Sequence, residues 1–267
     1  MIPNPRPVGD LLREWRQRRR VSQLDLALDA EISPKHVSFV ESGRAQPSRE
    51  MILRLAEHLQ VPLREQNALL HAAGFAPMYA ERSLDDPALA QARAAVDLVL
   101  KGHEPFPAIA VDRHWSLVAS NGAVGPMLGD VDAVLLEPPV NVLRLSLHPK
   151  GLAPRIANLP EWRAHLLDRL RRQVDATADP RLVDLLRELR EYPVPEDSTS
   201  RPHRDYAGVV VPFELRTPHG VLAFFGTTTV FGTPVDITLS ELAVEAFFPA
   251  NQETAQRLLA RSAVSSL

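Results

Sequence analysis

Residues 21–48, VSQLDLALDAEISPKHVSFVESGRAQPS, constrain the fold more than any other part of the chain. Two helix starts, two short apolar stripes and a glycine stop follow one another there. Ser22 precedes Leu24, Ala27 and Leu28, which share one helical face, and Asp25 completes a capping-box-like arrangement three residues on. Ser33 is a second N-cap, followed by Pro34 at the first helical position, where a missing N–H costs nothing. Val37 and Val40 face inward from this second helix, and Lys35, His36, Ser38 and Phe39 form its outer face. Gly43 is placed to take the left-handed conformation that ends a helix.

Helical spacing extends on both sides. Val8, Leu11, Leu12 and Trp15 give an apolar stripe upstream. Downstream, Ser48 caps a helix buried through Ile52, Leu55, Ala56 and Leu59. Pro62 starts a fifth helix through Leu69 and Leu70, which Gly74 ends. Five short helices over residues 1–74, the second and third joined by a tight turn, make a helix-turn-helix domain able to lay one helix in the DNA major groove.

Residues 8–61 resemble the lambda-repressor/Cro-type (XRE) helix-turn-helix family. Ser22-Gln23, Leu26-Ala27, Ser33, Val37-Ser38, Val40-Glu41, Gly43 and Pro47-Ser48 carry the likeness. The resemblance implies that Gln23 contacts a phosphate and that Ser33, Pro34, Lys35, His36, Ser38 and Phe39 read bases. It also implies a pair between Arg16 and Glu41. Pro34, Lys35 and Phe39 stand where several relatives carry amides, so the bidentate amide reading of adenine is not available here. Lys35 to guanine and Phe39 against a thymine methyl are the contacts left. A helical bundle that binds protein is the competing reading, and one short motif would not decide between them.

Charge supports DNA binding only weakly: residues 1–74 carry net +2 and the remainder −5, giving the chain's −3. The cations are clustered, however. Arg16, Arg18, Arg19 and Arg20 end the first helix, and Arg44 and Arg49 follow the third. They suit either phosphate contacts or a solvated helix end favoured by the dipole.

At 267 residues the chain suits two domains, each with its own core. No apolar run approaches a membrane span and no signal peptide stands at the start, so a cytoplasmic protein is expected. The absence of cysteine excludes disulfides, thiol switches and thiolate metal sites. Residues 1–7 are expected to be loose, and residues 196–204, EDSTSRPHR, are the expected flexible loop.

Residues 74–87 read as a linker, and a helix over residues 88–100 leads on, so the expected boundaries are 1–74, a linker and connecting helix over 75–104, and 105–267. Strands are expected at residues 108–111 and 115–119. Helices follow near Leu143 and over residues 160–172 and 180–190. Strands return at residues 208–215, 221–230 and 241–248, and Asn251 caps a last helix to about Ala260. That order is PAS-like, an antiparallel sheet with helices over one face, and the expected fold class is α+β.

The segments AIAVDRHWSLVASN, LRLSLHPKGLAPRIANLPEWRAHLLDRL and LRTPHGVLAFFGTTTVFGTPVDITLSELAVEAFFPAN resemble the MmyB-like regulators. In that family a PAS-like ligand-binding module follows an XRE domain. The resemblance implies a transcriptional regulator sensing a small, apolar or fatty-acid-like molecule. Candidate ligand contacts are Trp115, Leu117, Phe213, Phe224 and Val244 on the sheet, with Arg144, His148, Arg155, Asn158 and Trp162 as a polar group near helix starts. At least one of Arg144 and Arg155 is expected to touch ligand.

The leading expectation is a dimer on double-stranded operator DNA, its half-sites about one helical turn apart, answering to a small-molecule effector. The alternative is a C-terminal domain that only dimerises or binds a protein. An enzyme is the poorest reading: no HExxH, Gly-rich phosphate loop or GxSxG elbow is present, and no catalytic, metal or cofactor residue is assigned. Ligation of a haem by one histidine stays open.

Overall fold

A computed structural model describes residues 6–193 and 210–265. The loop expected at residues 196–204 and the first two residues of the strand expected at 208 lie outside them, as do residues 1–5. The chain divides into two compact units, Met1–Arg82 with Thr233–Ser240, and Ser83–Gly232 with Glu241–Leu267.

The N-terminal part of the first unit holds five helices, α1 (Val8–Arg18), α2 (Gln23–Asp29), α3 (Pro34–Glu41), α4 (Arg49–His58) and α5 (Leu63–Ala72). Three of the starts are the serines expected: Ser22, Ser33 and Ser48 each accept a backbone N–H from the residue three on. Gly43 and Gly74 both take positive φ, +73° and +85°. The core joins Leu12, Trp15, Leu26, Ala27, Val37, Val40 and Ile52 with residues of α4 and α5. The inward stripe of α2 differs from expectation. Leu26 and Ala27 are buried, whereas Leu24 and Leu28 are 55% and 66% exposed. Leucines at alternate positions fit more than one helical phase, and packing on α3 and α4 selects the phase. Gly9 lets α1 approach α3 closely: a Cβ there would stand 2.3 Å from the Val40 carbonyl oxygen.

Residues 75–82 do not run free. Asn67 donates to the Tyr79 carbonyl and accepts from the Met78 and Tyr79 N–H groups. The Tyr79 hydroxyl donates to Gln66, and Arg64 pairs with Glu81. A short helix, α10 (Ile237–Ser240), packs against α5, and Asp236 forms a parallel bridge with Ala80.

The second unit opens with α6 (Ala90–Gly102), then β1 (Ala108–Val111), β2 (Leu117–Ser120), α7 (Val142–Leu147), α8 (Leu159–Thr177) and α9 (Pro180–Glu191). It closes with β3 (Phe213–Thr217), β4 (Gly220–Val230), β5 (Ala243–Pro249) and α11 (Gln252–Ser265). The sheet order is β2-β1-β5-β4-β3, and every pairing is antiparallel. The fold is α+β, with a helix-turn-helix unit and a PAS-like sheet. Helices α7, α8 and α9 share one core with the sheet through Leu143, Leu166, Leu170, Leu185 and Phe224. The opposite face is covered as well: Val96 and Leu100 of α6 pack with Ala108, Ala110, Val244 and Ala246. Both faces are therefore closed, not one. Helix α8 runs a full turn further than expected, which carries Gln173 to the Arg113 carbonyl and the Trp115 indole N–H.

Candidate functional site: the recognition helix and an apolar cavity

In helix α3 Lys35 is exposed, and His36, Ser38 and Phe39 are partly so. Its outer face is organised around Phe39. The Lys35 ammonium lies 5.5 Å and the Arg44 guanidinium 5.9 Å from the ring centroid. Each cation is drawn to the ring by cation–π attraction. The backbone after the helix turns back on the same residue, since Arg44 N–H donates to the Phe39 carbonyl at 2.8 Å.

Beneath this face Glu41 ties three helices together. Arg16 grips its carboxylate with Nε and Nη2, at 2.6 and 2.9 Å. Gln23 Nε2 donates to the same carboxylate at 2.7 Å, and Arg13 donates to the Glu41 carbonyl. Burial raises the Glu41 pKa, but the bonds from Arg16 and Gln23 and the charges of Arg16 and Arg13 outweigh it and hold the carboxyl below its usual range. A glutamine amide has two N–H donors, and the bond to Glu41 uses one of those of Gln23. Arg18 and Arg19 are used within the unit, the first on Glu14 and the second on the Leu59 and Gln60 carbonyls.

The second unit encloses a cavity of about 410 Å³ between the sheet and helices α7 and α8. Leucine, valine and aromatic side chains dominate its wall, among them Leu117, Leu143, Leu166 and Phe247. Trp115 and Trp162 both line it. Trp115 has positive φ, +66°, an unusual conformation for a bulky residue. Its indole N–H donates to Gln173 at 2.8 Å, and the Arg169 guanidinium sits 4.5 Å over its ring. The Trp162 indole N–H donates to the Ser146 hydroxyl at 3.0 Å. Among the described residues no cluster of His, Asp and Glu is placed to hold a metal.

The model of the MmyB-like transcription regulator ligand binding domain matches residues 92–260, more than half of the chain, and spans the cavity. The chain belongs to the MmyB-like transcription regulator family. A helix-turn-helix domain model matches residues 7–69 of this MmyB-like regulator. It is a DNA-binding transcription regulator with a ligand-binding domain, and the families it matches are those of regulators, not enzymes. A solved structure, the clp gene regulator ClgR from Corynebacterium glutamicum, is 27% identical over 37% of this chain and 90% of that one, with a TM-score of 0.23. No curated protein matches the chain. No helix among the described residues is long and apolar enough to cross a membrane.

The candidate ligand contacts of the MmyB-like regulator fall in different places. Trp115, Leu117, Trp162 and Phe213 line the cavity. Phe224 is fully buried in the core beside Phe213, and Val244 belongs to the opposite face of the sheet. Arg144 forks onto Glu188, with contacts at 2.7 to 3.0 Å, and borders a separate depression with His114 and Arg181. Arg155 donates to the Met127 and Arg216 carbonyls, His148 stands edge-on to Tyr192, and Asn158 donates to the Pro212 carbonyl. Arg144 and Arg155 are thus bound to partners within the chain and are absent from the cavity's described lining, whose charged residues are Arg169 and Glu245. Sequence reading passed over both. The available signal was a glutamate inside an otherwise apolar strand, AVEAFF. Arg144→Ala and Arg155→Ala are each expected to leave effector affinity within about twofold of wild type, measured by titration calorimetry. A tenfold loss in either would return that residue to the site.

Proposed function

We propose that the cavity binds a small, largely apolar effector, and that its occupancy sets the affinity of the helix-turn-helix for operator DNA. The supporting observation is the cavity itself, apolar with few polar groups, lying inside the domain matched by the family's ligand-binding model. The protein acts as a homodimer in the cytoplasm, because a second recognition helix is needed to reach the second half-site. Within each protomer Lys35, His36, Ser38 and Phe39 meet bases, and Gln23 and Arg44 meet phosphates.

Selection of bound duplexes from a random pool tests the DNA half. Each good base contact is worth about 1–3 kcal/mol, so Lys35→Ala and Phe39→Ala should each weaken binding to the selected duplex roughly ten- to hundredfold. Lys35→Ala should also relax preference at one position. Unchanged affinity in both variants would remove α3 from the groove. Native mass spectrometry tests the rest: a dimer that releases a small molecule on denaturation supports the sensor, and a clean monomer mass counts against both claims.

A further inference from the structure

The second unit has another recess, and its chemistry differs from that of the cavity. The depression beside Arg144 has a volume of about 310 Å³, which falls within the roughly 300–1,000 Å³ usual for small-molecule sites. It lies between the β1–β2 turn, the start of α7 and the first turns of α9. Its wall and that of the cavity alternate along the chain. His114 and Ser116 line the depression, whereas Trp115 and Leu117 line the cavity. In α7, Arg144 lines the depression, and Leu143 and Leu145 line the cavity.

Donors outnumber acceptors among the described residues of the depression. The Arg181 side chain is exposed and has no hydrogen bond or ion pair among the described residues, so its whole guanidinium fork is left to donate. Arg144 holds Glu188 through Nε and Nη2, which leaves Nη1. The Ser116 hydroxyl has no partner among the described residues, and Asn141 Nδ2 spends one N–H on the His114 carbonyl. The carboxylate in the lining is that of Asp184, which pairs with Arg187 at 3.0 Å in an exposed contact. The His114 ring is tied to Asp179 at 2.8 Å. Two arginines thus stand against one carboxylate in the described lining, and Pro139, Leu182 and Leu185 add apolar surface.

We infer that this depression is a second binding site, for a small organic oxyanion, a carboxylate or a phosphate ester. Arg181, Arg144 Nη1 and the Ser116 hydroxyl hold its oxygens, and Pro139, Leu182 and Leu185 meet its carbon body. A planar guanidinium matches the paired oxygens of such an anion, and its charge-assisted hydrogen bonds are about twice as strong as neutral ones. An organic cation is repelled by Arg181, which no neighbouring carboxylate neutralises. A neutral molecule fills the space and leaves that charge unanswered. The site uses none of the cavity's lining residues, so it does not depend on what the cavity takes.

The test uses the full-length protein at neutral pH and four probes built on one ring: phenyl phosphate, benzoate, benzyl alcohol and benzylammonium. Binding is read by titration calorimetry at constant ionic strength, which keeps screening equal across the probes. At least one of the two anions should bind roughly tenfold or more tightly than the alcohol, and the cation no more tightly than the alcohol. The tighter anion names the head group as phosphate or carboxylate. Arg181→Gln should weaken anion binding roughly tenfold, and Arg181→Lys less, because an ammonium keeps the charge and loses the fork. The Arg181 side chain has no partner among the described residues to lose, so neither change disturbs folding. It does not line the cavity, so a probe lodged there would not respond to either change. Asp184→Asn removes the carboxylate from the described lining and should tighten anion binding about threefold. Anion affinity unchanged by Arg181→Gln would overturn the site. Benzyl alcohol binding as tightly as both anions, or no binding by any probe, would do the same.

Discussion

Glu41→Ala should cost the helix-turn-helix unit about 3–5 kcal/mol, the loss typical when one partner of a buried ion pair is removed. The Glu41 side chain is 2% exposed and that of Arg16 12%, so solvent cannot replace the lost contact. Arg16 would stay buried with its fork empty, and Gln23 would lose its acceptor. These three residues come from α3, α1 and α2, so the damage falls on the packing of the recognition helix. Urea denaturation followed by far-UV circular dichroism measures it. Arg16→Ala and the double variant complete a cycle, and a coupling energy of at least about 1.5 kcal/mol is expected for contacting residues. A cost under 1 kcal/mol would mean that the pair holds nothing together. The same carboxylate makes stability pH-dependent. Its folded pKa lies below the unfolded value of about 4.3. The contribution is therefore fully present above pH 4.3 and is lost as pH falls through the folded pKa. Acidification should destabilise wild type in that window more than it destabilises Glu41→Ala.

What the sequence revealed and what it hid divides by distance along the chain. Ser22, Ser33 and Ser48 cap helices through bonds to residues three positions on, and Gly43 and Gly74 end them through their own φ. Such local chemistry is written in neighbouring letters. The phase of α2 was not, because Leu24, Leu26 and Leu28 satisfy more than one stripe until α3 and α4 choose. In β5 the alternation of Leu242, Val244 and Ala246 shows one apolar face of the strand. Helices cover both sides, so Glu245 and Phe247 are interior too and reach the cavity. The Arg169–Glu245 pair joins residues 76 apart, and Arg144–Glu188 joins residues 44 apart. No periodicity announces pairs at that range. For the same reason the sequence does not show that Glu188 holds Arg144.

Ile237→Ala should lower the stability of the helix-turn-helix unit by about 2–5 kcal/mol, the range for emptying a buried isoleucine site. Ile237 is 2% exposed and belongs to Thr233–Ser240, a segment that is part of the helical unit although the chain reaches it from β4 and leaves it into β5. The fastening is backbone and side chain together. Ile237 N–H donates to the Ala80 carbonyl at 2.8 Å. Arg82 pairs with Asp236 at 3.0 Å, and the Thr238 hydroxyl donates to the Arg82 carbonyl at 2.6 Å. A fragment of residues 1–82 lacks all of this and should unfold at a lower temperature than the same helices in the whole protein. Far-UV circular dichroism of the fragment, beside the full chain and its Ile237→Ala variant, measures both effects. Equal stability of the fragment and the helical unit, with a cost below about 0.5 kcal/mol for Ile237→Ala, would show the segment to be decoration. The regulatory consequence follows from connectivity. Gly226 of β4 and Glu245 and Phe247 of β5 line the cavity, and Thr233–Ser240, between those strands, belongs to the DNA-binding unit. A ligand can shift DNA affinity only through an element whose arrangement differs between the bound and free states. If this segment is that element, Ile237→Ala should keep effector affinity and lose most of the effector's influence on DNA binding.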